Sequence, residues 1–239
     1  MQFDLQYQLF GDSAILVEWP KVLSKDILVD ILAFEAVVRQ GARATDLILA
    51  YHSLTICFPH AVHFSHEVSI LKELYARLTL PSATTQTIWE IPVCYDQDFG
   101  IDLREVASRN GMEIDDVIRL HSQPEYLIHF IGFQPGFLYL SGLNPSLHTP
   151  RRPSPRLRVD RGSVAIGGQQ TGVYPSDTPG GWNILGKSPI SFFDPKLAEP
   201  VFAKPGDGLR FQSVSRQTFL ELQEQVEQGH FQLSRTTRD

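Results

Sequence analysis

Apolar residues along this chain follow two rhythms, and the alternation between them sketches the fold. Ser13-Ala14-Ile15-Leu16-Val17-Glu18-Trp19 reads as a strand. Ser24 can N-cap a helix whose stripe is Ile27, Ile31, Phe34 and Val38, with Gly41 as its stop. Asp46 to Tyr51 and Leu54 to Phe58 read as strands joined by a tight turn at His52-Ser53. Ser65 can cap a second helix with Val68, Leu71, Tyr75 and Leu78 on one face, ended before Pro81. Ile88 to Val93 is one more strand. The order β-α-β-β-α-β is that of a ferredoxin-like split unit. Pro81-Ser82-Ala83-Thr84-Thr85 reads as the linker, which gives domains over 1–85 and 86–239. The strand after the linker can belong to either domain.

The second half changes character. Asp102 can cap a short helix through Val106 and Ala107, stopped by Gly111. A further helix carries Ile114, Val117, Ile118 and His121 at helical spacing, behind the poor cap Glu113. From Tyr126 to Ser188 proline and glycine are too dense for helices. They cut the segment into short strands and shaped turns, the pattern of a sandwich or barrel. Gly206-Asp207-Gly208 turns into a strand at Leu209-Arg210-Phe211. Ser215 caps a last helix with Phe219, Leu222 and Val226, closed by Gly229, and the tail after Gln232 reads as frayed.

Composition narrows the partners. The chain is 42% hydrophobic, ordinary for a protein with a real core. Its 21 basic and 27 acidic side chains give a net charge of −6, which argues against nucleic acid or an anionic membrane as partner. No apolar run approaches the length that spans a bilayer. Met1 to Phe10 lacks the marks of a signal peptide. The two cysteines, Cys57 and Cys94, read as buried free thiols, which fits a reducing cytoplasm.

Against that acidic background Arg151, Arg152, Arg156, Arg158 and Arg161 lie within eleven residues, with Pro153 and Pro155 among them and Pro150 just before. A stiff strap of guanidinium groups suits carboxylate or phosphate recognition, although a solvated charged loop has the same spacing. Gly167-Gly168-Gln169-Gln170-Thr171-Gly172 can bring backbone N–H groups close to a ligand, with amide and hydroxyl to orient it, or can be a hairpin turn. Tyr174 and Trp182 follow turns and can wall a pocket or fill a core.

Other motifs carry less. Gly181 to Ser188 matches the phosphate-binding pattern G-x-x-x-x-G-K-[ST], but prolines 179, 189 and 195 deny it the strand and helix that the pattern needs. Phe10-Gly11-Asp12-Ser13 resembles a GDS-type esterase block, without the late Asp and His that would activate the serine. His60, His63 and His66 recur every three residues, yet two fall outside the predicted helix. His121 reads as a packing histidine, and His129 can point to either face of its strand. No metal site and no complete catalytic set stand out.

The order GFQPGF-YL, PRR-x-x-PR, GSVAI-x-G, QTG-x-YP and PGGW-x-x-x-G resembles the B subunit of 5-oxoprolinase. That family includes the Kip-type sporulation-kinase inhibitors and once carried the label allophanate hydrolase subunit 1. The resemblance covers nearly the whole chain. It implies an α+β protein, a small ferredoxin-like N-terminal α/β domain followed by a cyclophilin-like β-barrel. It implies two partners, the C and A subunits of 5-oxoprolinase, which with this chain open the lactam of 5-oxo-L-proline to L-glutamate. ATP would be bound somewhere in that complex and would activate the lactam carbonyl. On this reading Arg151, Arg152 and Arg156 bind an anion, and Gln170, Thr171 and Tyr174 orient the substrate. Gly132, Phe133, Pro135, Gly136, Tyr139, Gly180, Gly181 and Trp182 shape the pocket. The rival reading is an inhibitor that binds a sensor histidine kinase and blocks its autophosphorylation. A prolyl isomerase is a third, by fold analogy alone.

Overall fold

A computed structural model describes residues 3–80 and 85–238. The chain divides into two units, Met1–Thr84 and Thr85–Asp239. Most of the expected linker, 81–84, lies outside the described residues.

The first unit runs β1 (Gln6–Phe10), β2 (Ala14–Glu18), α1 (Lys25–Gly41), β3 (Asp46–Leu49), β4 (Ser53–Cys57) and α2 (Phe64–Ala76). Its sheet is antiparallel throughout, in the order β1-β2-β4-β3. The order β-α-β-β-α-β is therefore corrected to β-β-α-β-β-α. The strand expected at Ile88–Val93 belongs to the other unit, and β1 pairs with β2 in the edge position. Sequence pattern missed β1 because Leu9 and Phe10 are exposed, so no inward alternation marks it. Ser24 caps α1 by accepting from the Asp26 N–H. Ser65 does not cap α2; the helix starts at Phe64, which packs against the core. That core joins Ile15 and Val17 of β2, the α1 stripe, Leu54 and Ile56 of β4, and Leu71 and Tyr75 of α2. Asp30, 1% exposed, lies within it. One of its oxygens accepts from the Trp19 indole at 2.7 Å and from the Tyr75 hydroxyl at 2.8 Å. The Tyr75 oxygen in turn accepts from the Phe3 N–H. A buried carboxylate is tolerable only with such donors.

The second unit begins with β5 (Gln86–Val93), α3 (Leu103–Arg109), α4 (Ile114–Ser122), β6 (Glu125–Ile131) and β7 (Leu138–Ser141). It continues with β8 (Arg156–Val159), β9 (Ser163–Gly167), β10 (Gln170–Val173), β11 (Thr178–Gly180) and β12 (Asn183–Lys187). It ends with β13 (Gly208–Ser213), α5 (Arg216–Glu227) and β14 (Arg235–Arg238). Eight strands form one sheet, β12-β9-β10-β7-β6-β13-β5-β14, and β8 pairs with β11 in a separate ribbon. Every pairing in the large sheet is antiparallel except β13 with β5. The sheet does not close into the expected barrel. Its edges are β12 and β14, and an isolated bridge between Cys94 and Lys187 is the contact that brings the end of β5 to β12. The tail is not frayed either. β14 pairs with β5 although its four side chains are exposed. An edge strand is held by its backbone, so polar composition does not exclude it.

β9 is buried along its whole length because both faces of the sheet are covered. Val164 and Ile166 join the main core with Leu138, Leu140 and Leu185, whereas Ala165 and Ile184 face a second, smaller cluster. Alternation along the strands sorts these residues. Among the described residues no helix is long and apolar enough to cross a membrane.

His121 is fully buried in the main core, stacked on Phe211 with ring centres 4.7 Å apart. Its Nε2 lies 2.8 Å from the Thr171 hydroxyl, and that hydroxyl donates to the Ala165 carbonyl. The Thr171 oxygen therefore accepts from Nε2–H, which leaves Nδ1 to accept from the Tyr95 hydroxyl at 2.7 Å. Burial drives the His121 pKa down to about 3, and that of His129 to about 4. The unfolded chain takes up protons near pH 6.5 that the folded chain refuses. Stability is thus full above about pH 6.5 and is lost as pH falls towards 3, at roughly 1.4 kcal/mol per pH unit for each such histidine. Urea midpoints at pH 7 and pH 5 should show this loss. His121→Gln should start lower and show a shallower pH slope, and an equal slope in the two chains would count against the assignment.

Candidate functional site

The arginine strap is held down at several points. Thr149 exchanges backbone hydrogen bonds with Gly168, and the Arg152 N–H donates to the Gly181 carbonyl at 2.7 Å. Arg156 pairs with Gly180 where β8 meets β11. Under and beside the strap is the smaller apolar cluster: Phe137, Val159, Ala165, Tyr174, Trp182 and Ile184, with Tyr139 packed against it. Phe137 meets Tyr174 and Trp182 edge-on, with ring centres 5.4 and 5.5 Å away, a favourable quadrupole arrangement.

The three arginines expected to bind an anion are not equivalent. Arg152 Nη1 donates to Asp102 at 3.0 Å and to Glu105 at 3.1 Å. Arg156 Nη2 donates to the same Asp102 oxygen at 2.6 Å, while its Nη1 is buried and has no hydrogen-bond partner. Arg151 pairs with no carboxylate among the described residues; its guanidinium lies over the Trp182 ring, 5.6 Å from the centre. Burial raises the Tyr174 pKa, against the Trp182 backbone N–H and the charges of Arg151 and Arg156. Burial also raises that of Tyr139, against Arg151. Both guanidiniums therefore lie within electrostatic reach of the Tyr174 hydroxyl.

Asp102 was missed as a site residue. It precedes α3 as a cap should, but its side chain makes no cap hydrogen bond. Its carboxylate is 3% exposed and takes both arginines on one oxygen and the Ile184 N–H on the other, at 2.7 Å. Two guanidiniums outcompete a single backbone N–H for a buried carboxylate. The signal in the sequence was an acid at a helix start, and that signal has a commoner explanation.

The remaining residues separate by face. Thr171 is buried and its hydroxyl is engaged by His121 and Ala165, so it serves the main core. Gln170 sits beside the turn that Gly168, with φ +66°, allows between β9 and β10. Gly132, Phe133, Pro135 and Gly136 form the reversal between β6 and β7. Gly136 has φ +86° and lies so close to residue 192 that a Cβ would meet the Phe192 carbonyl at 2.6 Å. Phe133 is also left-handed, at φ +66°, yet is 64% exposed. Gly180 lets Tyr174 approach, since a Cβ there would come within 2.5 Å of the phenol oxygen. Gly181 supplies the carbonyl that holds Arg152.

The phosphate-loop motif is mostly strand β12, with no helix after Ser188, and Lys187 lies 3.6 Å from Asp160. Ser13 lies within the turn between β1 and β2, one residue before β2 begins. Among the described residues no group of three or more His, Cys, Asp or Glu could hold a metal ion. A polar cleft of about 190 Å³ contains Arg158, Arg161 and Lys187, but Arg158 pairs there with Asp177 at 2.7 Å and with Asp160 at 3.3 Å.

Removing Asp102 would strand two partly buried guanidiniums. Asp102→Ala should destabilise the second unit by about 3 kcal/mol or more. Replacing the exposed Arg158 should cost no more than about 0.5 kcal/mol. Urea unfolding of both variants checks this, and similar midpoints would show that the carboxylate does not anchor the strap.

Residues 5–203 match the family described as carboxyltransferase domain, subdomain C and D. The chain is 33% identical to the 5-oxoprolinase B subunit of Bacillus subtilis (strain 168), over 90% of its own length and 95% of that protein's. It is 37% identical to the Haemophilus influenzae 5-oxoprolinase B subunit over 84% of its length and 94% of that protein's. The Escherichia coli O157:H7 counterpart is 54% identical over 51% of this chain, a match that spans 56% of that protein. Among solved structures TTHA0988 is 36% identical with a TM-score of 0.72, covering 84% of this chain and 40% of that one. The Kluyveromyces lactis urea amidolyase, at 18% identity, shares the fold: its TM-score is 0.86 over 99% of this chain and 16% of that one. With two relatives above 30% identity matched over nearly their full length and a family match over most of its residues, the chain belongs to the family of 5-oxoprolinase B subunits, within the carboxyltransferase subdomain C and D proteins.

Proposed function

We propose that this chain is the B subunit of a multi-component, ATP-dependent 5-oxoprolinase, which with the A and C subunits opens 5-oxo-L-proline to L-glutamate. The observation that carries the reading is identity with proteins named as the B subunit of 5-oxoprolinase over nearly the full length of both partners. The site is consistent with it. A braced cationic strap over an aromatic cluster suits a small, flat, anionic substrate. The expected ferredoxin-like and cyclophilin-like halves remain part of the proposal at the level of ancestry, with an open sheet in place of a closed barrel.

ATP belongs to the whole assembly on this reading. This chain's phosphate-loop motif does not fit a triphosphate: Gly186 is packed so tightly that a Cβ would meet the Cys94 carbonyl at 2.6 Å. The backbone N–H of Lys187 donates to that same carbonyl and is not free to cradle phosphate.

The chain should be purified alone and with its natural partners, then assayed for 5-oxoproline-dependent ATP hydrolysis and glutamate release. Turnover is expected from the three-component assembly and not from the lone chain. Turnover by the lone chain, or its absence from the assembly, overturns the reading. In the assembly Lys187→Ala should stay within a few-fold of wild type. Loss of activity with the assembly intact would return this segment to nucleotide binding.

A further inference from the structure

Among the described residues Phe133 is the one non-glycine with a left-handed backbone, at φ +66°. The Gln134 N–H donates to the Gly132 carbonyl at 2.7 Å, so Phe133 is the centre of a three-residue γ-turn of the rare, strained hand. A bulky side chain on such a backbone persists only where its surroundings over-determine it. They do so here. The Gly132 N–H donates to the Phe137 carbonyl at 3.2 Å, and the Phe137 N–H to the Gln134 carbonyl at 3.0 Å. Ser176 Oγ donates to Gln134 Oε1 at 3.0 Å. This bracing holds an aromatic ring in water: Phe133 is 64% exposed, with an edge-on contact to Phe137 at 5.6 Å. Glycine would relieve the backbone, so the ring is kept against the local preference.

A second apolar side chain projects from the same layer. Leu157 of β8 is 92% exposed. The two segments are tied together, since Ser176 leads into β11 and Thr178 of β11 pairs with Val159, two residues from Leu157. Phe137 and Val159 share the cluster beneath them. The strap around Leu157 is cationic: Arg152, Arg156 and Arg158 pair with carboxylates, whereas Arg151 and Arg161 have no carboxylate partner among the described residues. Exposed apolar anchors inside a charged rim are the make-up of a protein interface.

We propose that Phe133 and Leu157 anchor this chain to a partner subunit, the C subunit of the assembly, which presents an apolar pocket with an acidic rim. This chain matches subdomain C and D of a carboxyltransferase domain, and its match to TTHA0988 fills 40% of that protein, so in that relative its counterpart is joined to further polypeptide. A second copy of this chain fits the surface poorly. A two-fold contact through the same face would bring the strap's cations against their own copies. The γ-turn fixes the ring's direction before the subunits meet, which lowers the ordering cost of binding. The partner's name rests on the function proposed above; the anchors rest on the geometry.

The test titrates the full chain with the purified C subunit by calorimetry and follows urea unfolding of each variant. Asparagine tolerates a left-handed backbone, so Phe133→Asn should unfold at a midpoint no lower than wild type. It should nevertheless bind the C subunit at least about tenfold more weakly. Phe133→Tyr keeps the ring and should restore binding. Leu157→Ser should weaken binding with its midpoint unchanged, and Arg161→Ala should flatten the salt dependence of association. Leu220→Ser, at an exposed position of α5, should bind like wild type. The anchors are overturned if Phe133→Asn binds the C subunit like wild type, or if its midpoint falls, which would give the ring to this chain's own packing. Normal assembly of Phe133→Asn with reduced turnover of 5-oxoproline would give the ring to the substrate and also overturns them. Binding through Phe133 to the A subunit or to a second copy, and not to the C subunit, overturns the choice of partner. If the chain binds the C subunit through Phe133 but the three-component assembly does not turn over 5-oxoproline, the function reading fails and the docking surface stands.

Discussion

A single buried carboxylate, Asp102, holds the second unit's outer layer to its frame. It starts α3, exchanges hydrogen bonds with Ile184 of β12 through both its backbone N–H and its side chain, and receives Arg152 and Arg156 from the strap. Helix, edge strand and strap therefore meet at one side chain. Such a carboxylate is costly to bury alone and becomes tolerable only when charged donors fill its oxygens. The dependence runs both ways, since the guanidiniums are themselves only about a quarter exposed. A local substitution at this point would be felt across elements far apart in sequence.

The outer layer could not form without close approach of backbone to aromatic rings. Gly167 lies against the Trp182 indole, where a Cβ would come within 2.8 Å, and Gly180 lies against Tyr174. These glycines set the depth at which the two rings sit. The rings in turn give the strap an apolar floor, and Arg151 lies over part of it. Packing and charge placement are thus one arrangement. The sheet is covered on both faces by different means, a conventional aliphatic core on one side and a braced aromatic layer on the other.

Buried polar groups elsewhere follow the same rule. His121 is neutral because Tyr95, Thr171 and Phe211 surround it with donors, acceptors and a ring but no charge. Asp30 in the first unit gathers an indole and a phenol. Each fixes elements that hydrophobic contact alone would leave free to slide. Thr171 shows how such a network competes with function: its hydroxyl, legible as a substrate contact, is consumed by the core.

The sequence by itself determined most helices and the interior strands, because apolar periodicity reports which face is buried and Ser24 and Ser215 announce their helices through local hydrogen bonds. It also disclosed the strap, whose arginines and prolines are contiguous. It could not disclose β1 or β14, which are edge strands held by backbone pairing with little inward side-chain pattern. Nor could it say that β5 leaves the first unit's sheet, or that the large sheet stays open, since register and closure depend on partners distant in the chain. The division of labour among Arg151, Arg152 and Arg156 was decided by tertiary structure alone. Three similar residues became one ring-stacked cation, one doubly paired cation and one half-satisfied donor because Asp102, some fifty residues away, reaches two of them and not the third.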